Sequence, residues 1–575
     1  MYRKTTFLII IVRILVTLTV KEILFLVEIL MEMGQASNFT LIKHVLIILT
    51  TFGTMANCSK ILVLVPFPAH SHWLWLEHFV LELLDRGHQV TAVTNFAATE
   101  PHPNYTEVVI DPPFDIPYYF PVSDMFEAKY SSDVSNLFLY WNVGISTTKY
   151  ALRNPDVQHF IEQDDSSFDL VISEQFYQEA FLMFAHKYRA PIVTIGTLGY
   201  SDFMDRAMGL LTPWSFVPHP ILMYKDDMSF SQRCYNFLIS ATDAFLRKYY
   251  YLPRQDKLAK KYFSSIEGPE SFPSVEELEK SISVMLINSH ISTTPPRASI
   301  TGLVNVAGAH IKPAKVLPKD IQRFLNGATE GAIFFSLGSY VKSTDMPKDK
   351  LKAFFEVFRN IKHKVLWKFE DETMSNVPKN VMVRKWLPQS DILAHPNVVL
   401  FITHGGMFGT QEGLYRGVPM LFIPFYGDQH QNALKAERSG YALSLNFADV
   451  NVITLGSRIN ELLTDPTYKR LAKKASQLFR DNLVPPMDEA MYWIEYVIRH
   501  KGAKHLKSIS VDLNWVQYHM LDVVTFFTLM VTLTLTVSYR ILMALYRDFI
   551  KQKSKETKKI VTPSKVRGHT KFKEN

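Results

Sequence analysis

Hydrophobic residues fall along this chain in two alternating rhythms, and their order points to α/β units. Ile61–Val65 is an unbroken apolar run of strand length, followed by a proline-containing loop over 66–71. Leu76, Phe79, Val80, Leu83 and Leu84 then recur at the spacing of one helical face. Gly87 suits the left-handed residue that ends a helix, and Val90–Val93 is a second apolar run. Strand, helix and strand in that order predict a parallel sheet covered on both faces. The pattern returns with Phe168–Ile172, a helix near 178–187 and Ile192–Ile195. It returns again with strands at Ala332–Leu337, Val365–Phe369, Val398–Ile402 and Leu421–Pro424. Between the two series lie Pro295, Pro296, Pro313 and Pro318, which predict an interdomain linker. The expected fold is α/β: two facing Rossmann-like, doubly wound domains with ligands at the C-terminal ends of the strands. Residues 200–265 depart from the rhythm. Their many aromatics are read as a helical core face, with some left to wall an apolar ligand.

Two terminal segments stand outside this frame. Val523–Tyr539 holds 17 uncharged residues, enough to cross a bilayer, and Arg540 can snorkel so that 541–546 extend the span. The threonines at 525, 528, 532, 534 and 536 weaken the signal, because each hydroxyl must bond back to its own helix. Net charge is +7, from 62 Lys/Arg against 55 Asp/Glu. Residues 547–575 carry ten basic against three acidic side chains, so the whole excess is a tail and the body is neutral. Nucleic acid is therefore not an expected partner. The basic flank predicts a cytosolic tail with the body across the membrane. Lys571 and Lys573 resemble the dilysine retrieval signal of endoplasmic reticulum membrane proteins. Upstream, Lys43-His44, the apolar 45–52 and the small residues around Ala56 read as a signal peptide. Residues 1–30 are then an irregular extension, or translation begins at Met31 or Met33. Cys58 and Cys234 allow one disulfide at most, so the fold is not expected to rely on disulfides. Asn104-Tyr105-Thr106 is a glycosylation sequon usable in a lumenal body.

The densest chemistry lies from Phe401 to Gln429. A strand ends, His404 follows, and Gly405-Gly406 open a helix that ends at Gly417. Bare backbone N–H groups at a helix N-terminus form a seat for a diphosphate, and His404 adds a donor. Glu412, two turns into the helix, can accept from vicinal hydroxyls, and Asp428-Gln429 suit a sugar.

This stretch, with Trp386-Leu-Pro-Gln389 and Phe335-Ser-Leu-Gly-Ser339, resembles the UDP-glycosyltransferases, the family that includes UDP-glucuronosyltransferases. The likeness extends over roughly residues 58–550, through Trp493-Ile-Glu, His500-Lys-Gly-Ala-Lys-His-Leu506 and Trp515-Val-Gln-Tyr-His. It implies the two-domain GT-B fold and a UDP-sugar site built from Gly338, Ser339, Trp386, Gln389, His404, Gly405, Gly406, Gly409, Glu412, Asp428 and Gln429. It also implies a catalytic His after the first strand, here His72 of Ser71-His72 in preference to His70, oriented by an acidic residue. Glu174 stands where many members have Asp. One extra methylene moves the carboxylate by roughly 1.5 Å, so either the backbone compensates or the relay is weak. Phe408 is a second departure, since many vertebrate members have Asn there. Asp169 is read as structural.

The reaction expected is inverting transfer of a hexosyl group, glucose or glucuronate, from a UDP-sugar to a hydroxyl of small lipophilic acceptors. The invertebrate look of the signature leans towards glucose. No Asp-x-Asp triplet occurs, so no metal or other cofactor is expected. The competing reading from another class is a non-catalytic, membrane-anchored carrier of UDP-sugar or lipophilic ligands. A third is a soluble secreted binding protein. The expected organisation is an extension with signal peptide (1–57), an acceptor-binding domain (58–295), a linker (296–318) and a UDP-sugar-binding domain (319–485). A helical segment (486–519), an anchor (520–546) and a basic tail (547–575) complete it. The chain is placed in the endoplasmic reticulum membrane as a single-pass type I protein with a lumenal body, and homo-oligomerisation is left open.

Overall fold

The computed structural model describes residues 58–98, 101–118, 121, 132–266, 271–374 and 376–560. The signal peptide, the alternative starts and the dilysine pair lie outside the described residues.

Two parallel sheets form the body. The first has seven strands: β1 (Lys60–Val65), β2 (Gln89–Thr94), β3 (Tyr105–Val109), β4 (Leu170–Glu174), β5 (Ile192–Gly196), β6 (Val284–Ile287) and β7 (Leu303–Asn305), in the order β3-β2-β1-β4-β5-β6-β7. The second has six: β8 (Ala332–Ser336), β9 (Lys364–Lys368), β10 (Val381–Arg384), β11 (Val398–Thr403), β12 (Met420–Phe422) and β13 (Ala442–Ser444), ordered β10-β9-β8-β11-β12-β13. Strand order reverses between β1 and β4 in one sheet and between β8 and β11 in the other. Each reversal leaves a crevice at the carboxyl ends of the strands, where doubly wound sheets take their ligands.

Among the helices, α1 (His70–Asp85), α2 (Asp202–Ala207) and α3 (Phe230–Leu246) belong to the first half, and α4 (Met407–Arg416) and α5 (Gln429–Arg438) to the second. Helix α6 (Pro486–Arg499) returns to the first half, and α7 (Leu521–Ile560) follows it. On α6, Ala490, Met491, Ile494 and Val497 join Trp75, Leu76 and Phe79 of α1 in one core beneath the first sheet. Arg86 seals that seam with Asp488 (2.8 Å) and Glu495 (3.2 Å). The two chain crossings between the halves touch one another. His290 lies against Phe479, ring centres 4.6 Å apart, and bonds Asn482 at 3.0 Å. Gly308, at φ 84°, is so close that a methyl group on it would come within 3.2 Å of Phe479.

Several boundaries differ from the sequence reading. Helix α1 begins at His70, inside the stretch read as loop, with Ala69 as its uncapped N-cap. Strand β4 runs to Glu174, two residues past the apolar run, because Ser173 and Glu174 are polar yet buried. Leu303–Asn305 pairs with β6 as the last strand of the first sheet, so part of 296–318 is domain and not linker. The helix that contains the anchor runs 40 residues, about 60 Å at 1.5 Å per residue, and continues to Ile560 inside the predicted tail. It is long and apolar enough to cross a membrane and is not packed against the body. Thr528, Thr532, Thr534 and Thr536 each donate to the carbonyl four residues back, at 2.7–2.8 Å. Cys58 and Cys234 are both exposed free thiols.

Candidate active site between the two sheets

The crevice of the first sheet holds an acid–imidazole pair. His72 sits in the first turn of α1, its N–H bonded to Ala69 O at 3.0 Å. Glu174 is the last residue of β4, the strand paired with β1. Glu174 Oε1 meets His72 Nδ1 at 2.6 Å, so the longer side chain is accommodated without loss of contact. Thr197, just past β5, donates its hydroxyl to the same oxygen at 2.9 Å. Both members of the pair are buried, and Glu174 Oε2 has no hydrogen-bond partner among the described residues. With Nδ1 engaged, Nε2 is the free nitrogen of the imidazole. His70 is exposed and lies beside Phe96 and Trp386 instead. Asp169 accepts from Lys60 N at 2.8 Å, which pins the start of β1.

Aromatic rings surround His72. Phe67 lies parallel to it at 5.7 Å, Phe176 presents an edge at 4.8 Å, and Phe408 from the opposite half presents one at 6.4 Å. Tyr177, beside Phe176, has φ 60°, a costly conformation for an aromatic residue. Its carbonyl accepts from Tyr251 at 2.5 Å and from Thr148 at 3.2 Å, which holds that backbone in place.

The crevice of the second sheet is lined by glycine and a neutral His. His404 follows β11 and is wedged between Gly338 and Gly406. A methyl group on Gly338 would lie 2.6 Å from its Cε1, and one on Gly406 2.5 Å from its Nε2. Gly338 and Gly405 also have φ of 84° and 90°, where L side chains are strained. Burial, with the charge of Lys368 nearby, pushes His404 down to about 4. The ring is therefore neutral at pH 7, and its Nδ1 is buried with no partner among the described residues. Helix α4 starts one residue after Gly406 and ends on Gly417 in the left-handed conformation, as the glycine pattern predicts.

On α4, Glu412 accepts from Gln389 Nε2 at 2.6 Å, and burial pushes its carboxyl up to about 7. Gly409 faces the same amide, 3.1 Å from where its Cβ would be. Trp386 is 59% exposed, with the Lys368 ammonium 6.0 Å from the ring centre. Ser339 is exposed. Asp428, at the start of α5, accepts from Asn432 at 2.7 Å, and burial raises its carboxyl. Gln429 is buried, its amide oxygen taken by Phe425 N (2.8 Å) and Tyr426 N (3.2 Å). It fixes the loop after β12 through those bonds.

The two crevices face each other across α4. Phe408 stacks on Trp75 at 5.7 Å and packs against the core of the first half. Gln411 donates to Asn288 at 2.7 Å and accepts from Gly308 N at 3.2 Å. Thr197, Trp75, Asn288 and Gln411 escaped sequence reasoning, since each acts across a large separation in the chain.

A family model described as "UDP-glucoronosyl and UDP-glucosyl transferase" matches residues 59–556. "UDP-glycosyltransferase UGT5" of Dactylopius coccus is 34% identical over 85% of this chain and 93% of its own length. "UDP-glucuronosyltransferase 2B15" of Homo sapiens is 30% identical over 92% and 99%. Among solved structures, the glycosyltransferase VinC in complex with DTDP matches with TM-score 0.53 at 16% identity, over 77% of this chain and all of that one. UDP-glucose: anthocyanidin 3-O-glucosyltransferase in complex with UDP matches with TM-score 0.51 at 17% identity, over 78% and 100%. At that identity the structures carry the fold alone. The named relatives are transferases, which does not favour a non-catalytic carrier.

Proposed function

The chain belongs to the family of UDP-glucuronosyl and UDP-glucosyl transferases and transfers a sugar from a UDP-sugar; from that premise we propose how its residues do so and on what. The observation that carries the proposal is the 2.6 Å contact between His72 and Glu174 opposite the glycine-lined seat of His404. His72 Nε2 takes the proton of an acceptor hydroxyl while the oxygen attacks the anomeric carbon from the face opposite the diphosphate. The bond from that carbon to the β-phosphate oxygen breaks, UDP leaves with the electron pair, and the anomeric configuration inverts. Glu174 holds the ring and stabilises the imidazolium that forms, as the acid of a triad does. The N-terminus of α4 and the neutral His404 receive the charge that develops on the diphosphate.

In this reading Trp386 stacks on uracil, Gln389 reaches the nucleoside, Glu412 accepts from the ribose hydroxyls, and Asp428 holds the sugar. Transfer needs no divalent metal. The rings of Phe67, Phe176 and Phe408 around His72 favour small lipophilic acceptors, and the products are more soluble conjugates, as in detoxification. The donor is UDP-glucose or UDP-glucuronate, and relatives of both names occur among the matches. Helix α7 anchors the chain in the endoplasmic reticulum membrane with the body lumenal, which makes Asn104 a glycosylation site.

Membranes carrying the protein, incubated with each UDP-sugar and a panel of phenols, test the core of this. Transfer from one donor, lost in His72→Ala and unaffected by chelator, is expected. Transfer that survives His72→Ala removes the proposed base, and loss with chelator removes the metal-free route. A mobility shift on deglycosylation, lost in Asn104→Gln, checks the orientation.

A further inference from the structure

Helix α3 buries Ile239 and Leu246 in the core but leaves its other large apolar side chains outside, over polar residues that face inward. On a helix that borders water the apolar stripe faces the core and the polar one faces solvent. Here Phe230, Phe237, Leu238, Phe245 and, one turn on, Tyr249 are 74, 60, 56, 61 and 62% exposed. At 100° per residue the four on α3 share an arc of about 100°, and Tyr249 follows in the π-helical turn Arg247–Tyr251. The inward face carries Asn236, which donates to Trp214 O (2.7 Å) and Val217 O (3.0 Å) and accepts from His219 N (2.7 Å). It also carries Asp243, which accepts from Trp141 at 2.8 Å. Of the aromatics of this segment, Tyr251 is core and Phe203, Tyr224, Tyr235 and Tyr250 pack against it as expected, whereas Phe230, Phe237, Phe245 and Tyr249 face outward. An apolar stripe of this length on a surface marks a site of contact.

Two features indicate the partner. Each end of the stripe pairs an aromatic ring with a cation: Arg233 lies 5.9 Å from the Phe230 ring centre, and Lys248 5.9 Å from that of Tyr249. Apolar rings flanked by long basic side chains suit the boundary between lipid headgroups and acyl chains. The stripe is also contiguous with the route to α7. Before that helix begins, Lys507 donates to Ala207 O (3.1 Å) and Ser510 to Gly209 O (2.5 Å), at the end of α2. Asp202 of α2 accepts from Trp214 (3.1 Å), and the Trp214 ring meets Phe237 of the stripe at 5.7 Å. Eight residues then lie between Asp512 and Leu521, a reach of at most about 30 Å.

We propose that the outward face of α3 lies on the lipid bilayer, giving the acceptor half a second membrane contact beside α7. The inference rests on the reading of α7 as a membrane anchor. Acceptors dissolved in lipid then reach the enzyme without first entering bulk water.

Cys234 lies within the stripe, and Cys58 is the chain's other cysteine. Full-length Cys58→Ser protein, labelled at Cys234 with a fluorophore and reconstituted into phosphatidylcholine/phosphatidylserine vesicles, reports directly. A face lying about 5–10 Å into the interface is quenched by roughly half or more by lipids spin-labelled high on the acyl chain. Phe237→Asp with Phe245→Asp abolishes the quenching while transfer to a water-soluble phenol is unchanged. A probe that stays unquenched and accessible to aqueous iodide puts the stripe in water and overturns the proposal. A probe shielded from both quenchers, or a thiol that resists labelling, means protein covers the face and also overturns it. Alkaline carbonate extraction separates the two readings. A chain that is released does not span the bilayer, whereas a retained chain with an unquenched probe loses only the contact at α3.

Discussion

Shortening Glu174 by one methylene tests the acid–imidazole pair most directly. Glu174→Asp keeps the charge but withdraws the carboxylate by roughly 1.5 Å. The 2.6 Å contact with His72 Nδ1 then opens to roughly 4 Å, beyond hydrogen-bond range. Hydrogen bonds to a charged group contribute about 1.5–3 kcal/mol. At about 1.4 kcal/mol per factor of ten, kcat should fall by about 10- to 150-fold. Glu174→Gln keeps the reach and removes the charge that stabilises the imidazolium, so it should fall within the same range. The seat for the nucleotide is on the other sheet, so the Kd for UDP should not move in either variant. Initial rates with a fluorescent phenol, measured against both UDP-sugars and set beside UDP titration calorimetry, read these quantities. If both variants keep kcat within about twofold of wild type while His72→Ala is inactive, His72 works unaided and the reasoning fails.

Three further outcomes follow from the second half and its junction. Gly406→Ala puts a methyl group 2.5 Å from His404 Nε2, so UDP should bind at least about tenfold more weakly, measured by calorimetry; unchanged affinity would mean the seat lies elsewhere. Glu412, raised from an ordinary value of 4.5 to about 7, stays protonated in the folded protein where the unfolded chain has lost its proton. Its contribution to stability is therefore lost as pH rises from 4.5 to 7, and the Tm of Glu412→Gln should decline less across that window than the wild-type Tm; parallel curves would contradict the assignment. Phe408→Ala removes the stack on Trp75 and one wall beside His72, costing about 0.5–1.5 kcal/mol for the ring pair in addition to lost burial. Tm should fall and the acceptor KM rise while the UDP Kd stays put, and an unchanged KM would remove Phe408 from the acceptor site.

Much of the fold could be read along the chain because its strands are buried on both faces and leave unbroken apolar runs. Gly87 and Gly417 marked helix ends because only a left-handed residue fits there. The reading stopped short where polarity and burial part company. Ser173 and Glu174 look like the start of a loop, yet they complete β4 and bring the carboxylate to His72. Leu303–Asn305 is three residues long and sits among prolines, so only its pairing with β6 identifies it as a strand. Thr197 looks like any threonine after a strand until β5 lies beside β4. In α3 the helical period reveals an apolar face but not that the face points outward. The partner face is held by Asn236 and Asp243, whose bonds to Trp214, Val217 and Trp141 exist only in three dimensions.

The two crossings that meet at His290 act as one spine. A body joined at two distant points could only flex, and one joined at a single strand could also twist. Two crossings that pass the same corner, with Gly308 against Phe479 and Asn482 bonded to His290, hold the halves together at one edge like the pages of a book, and Gln431 on Leu222 O with Arg438 on Asp226 joins them again at α5. His72 is printed on one page and His404 on the other. Their separation is set by the fit at that corner and by the bonds at α5 together, so parting the pages means breaking the second set of contacts.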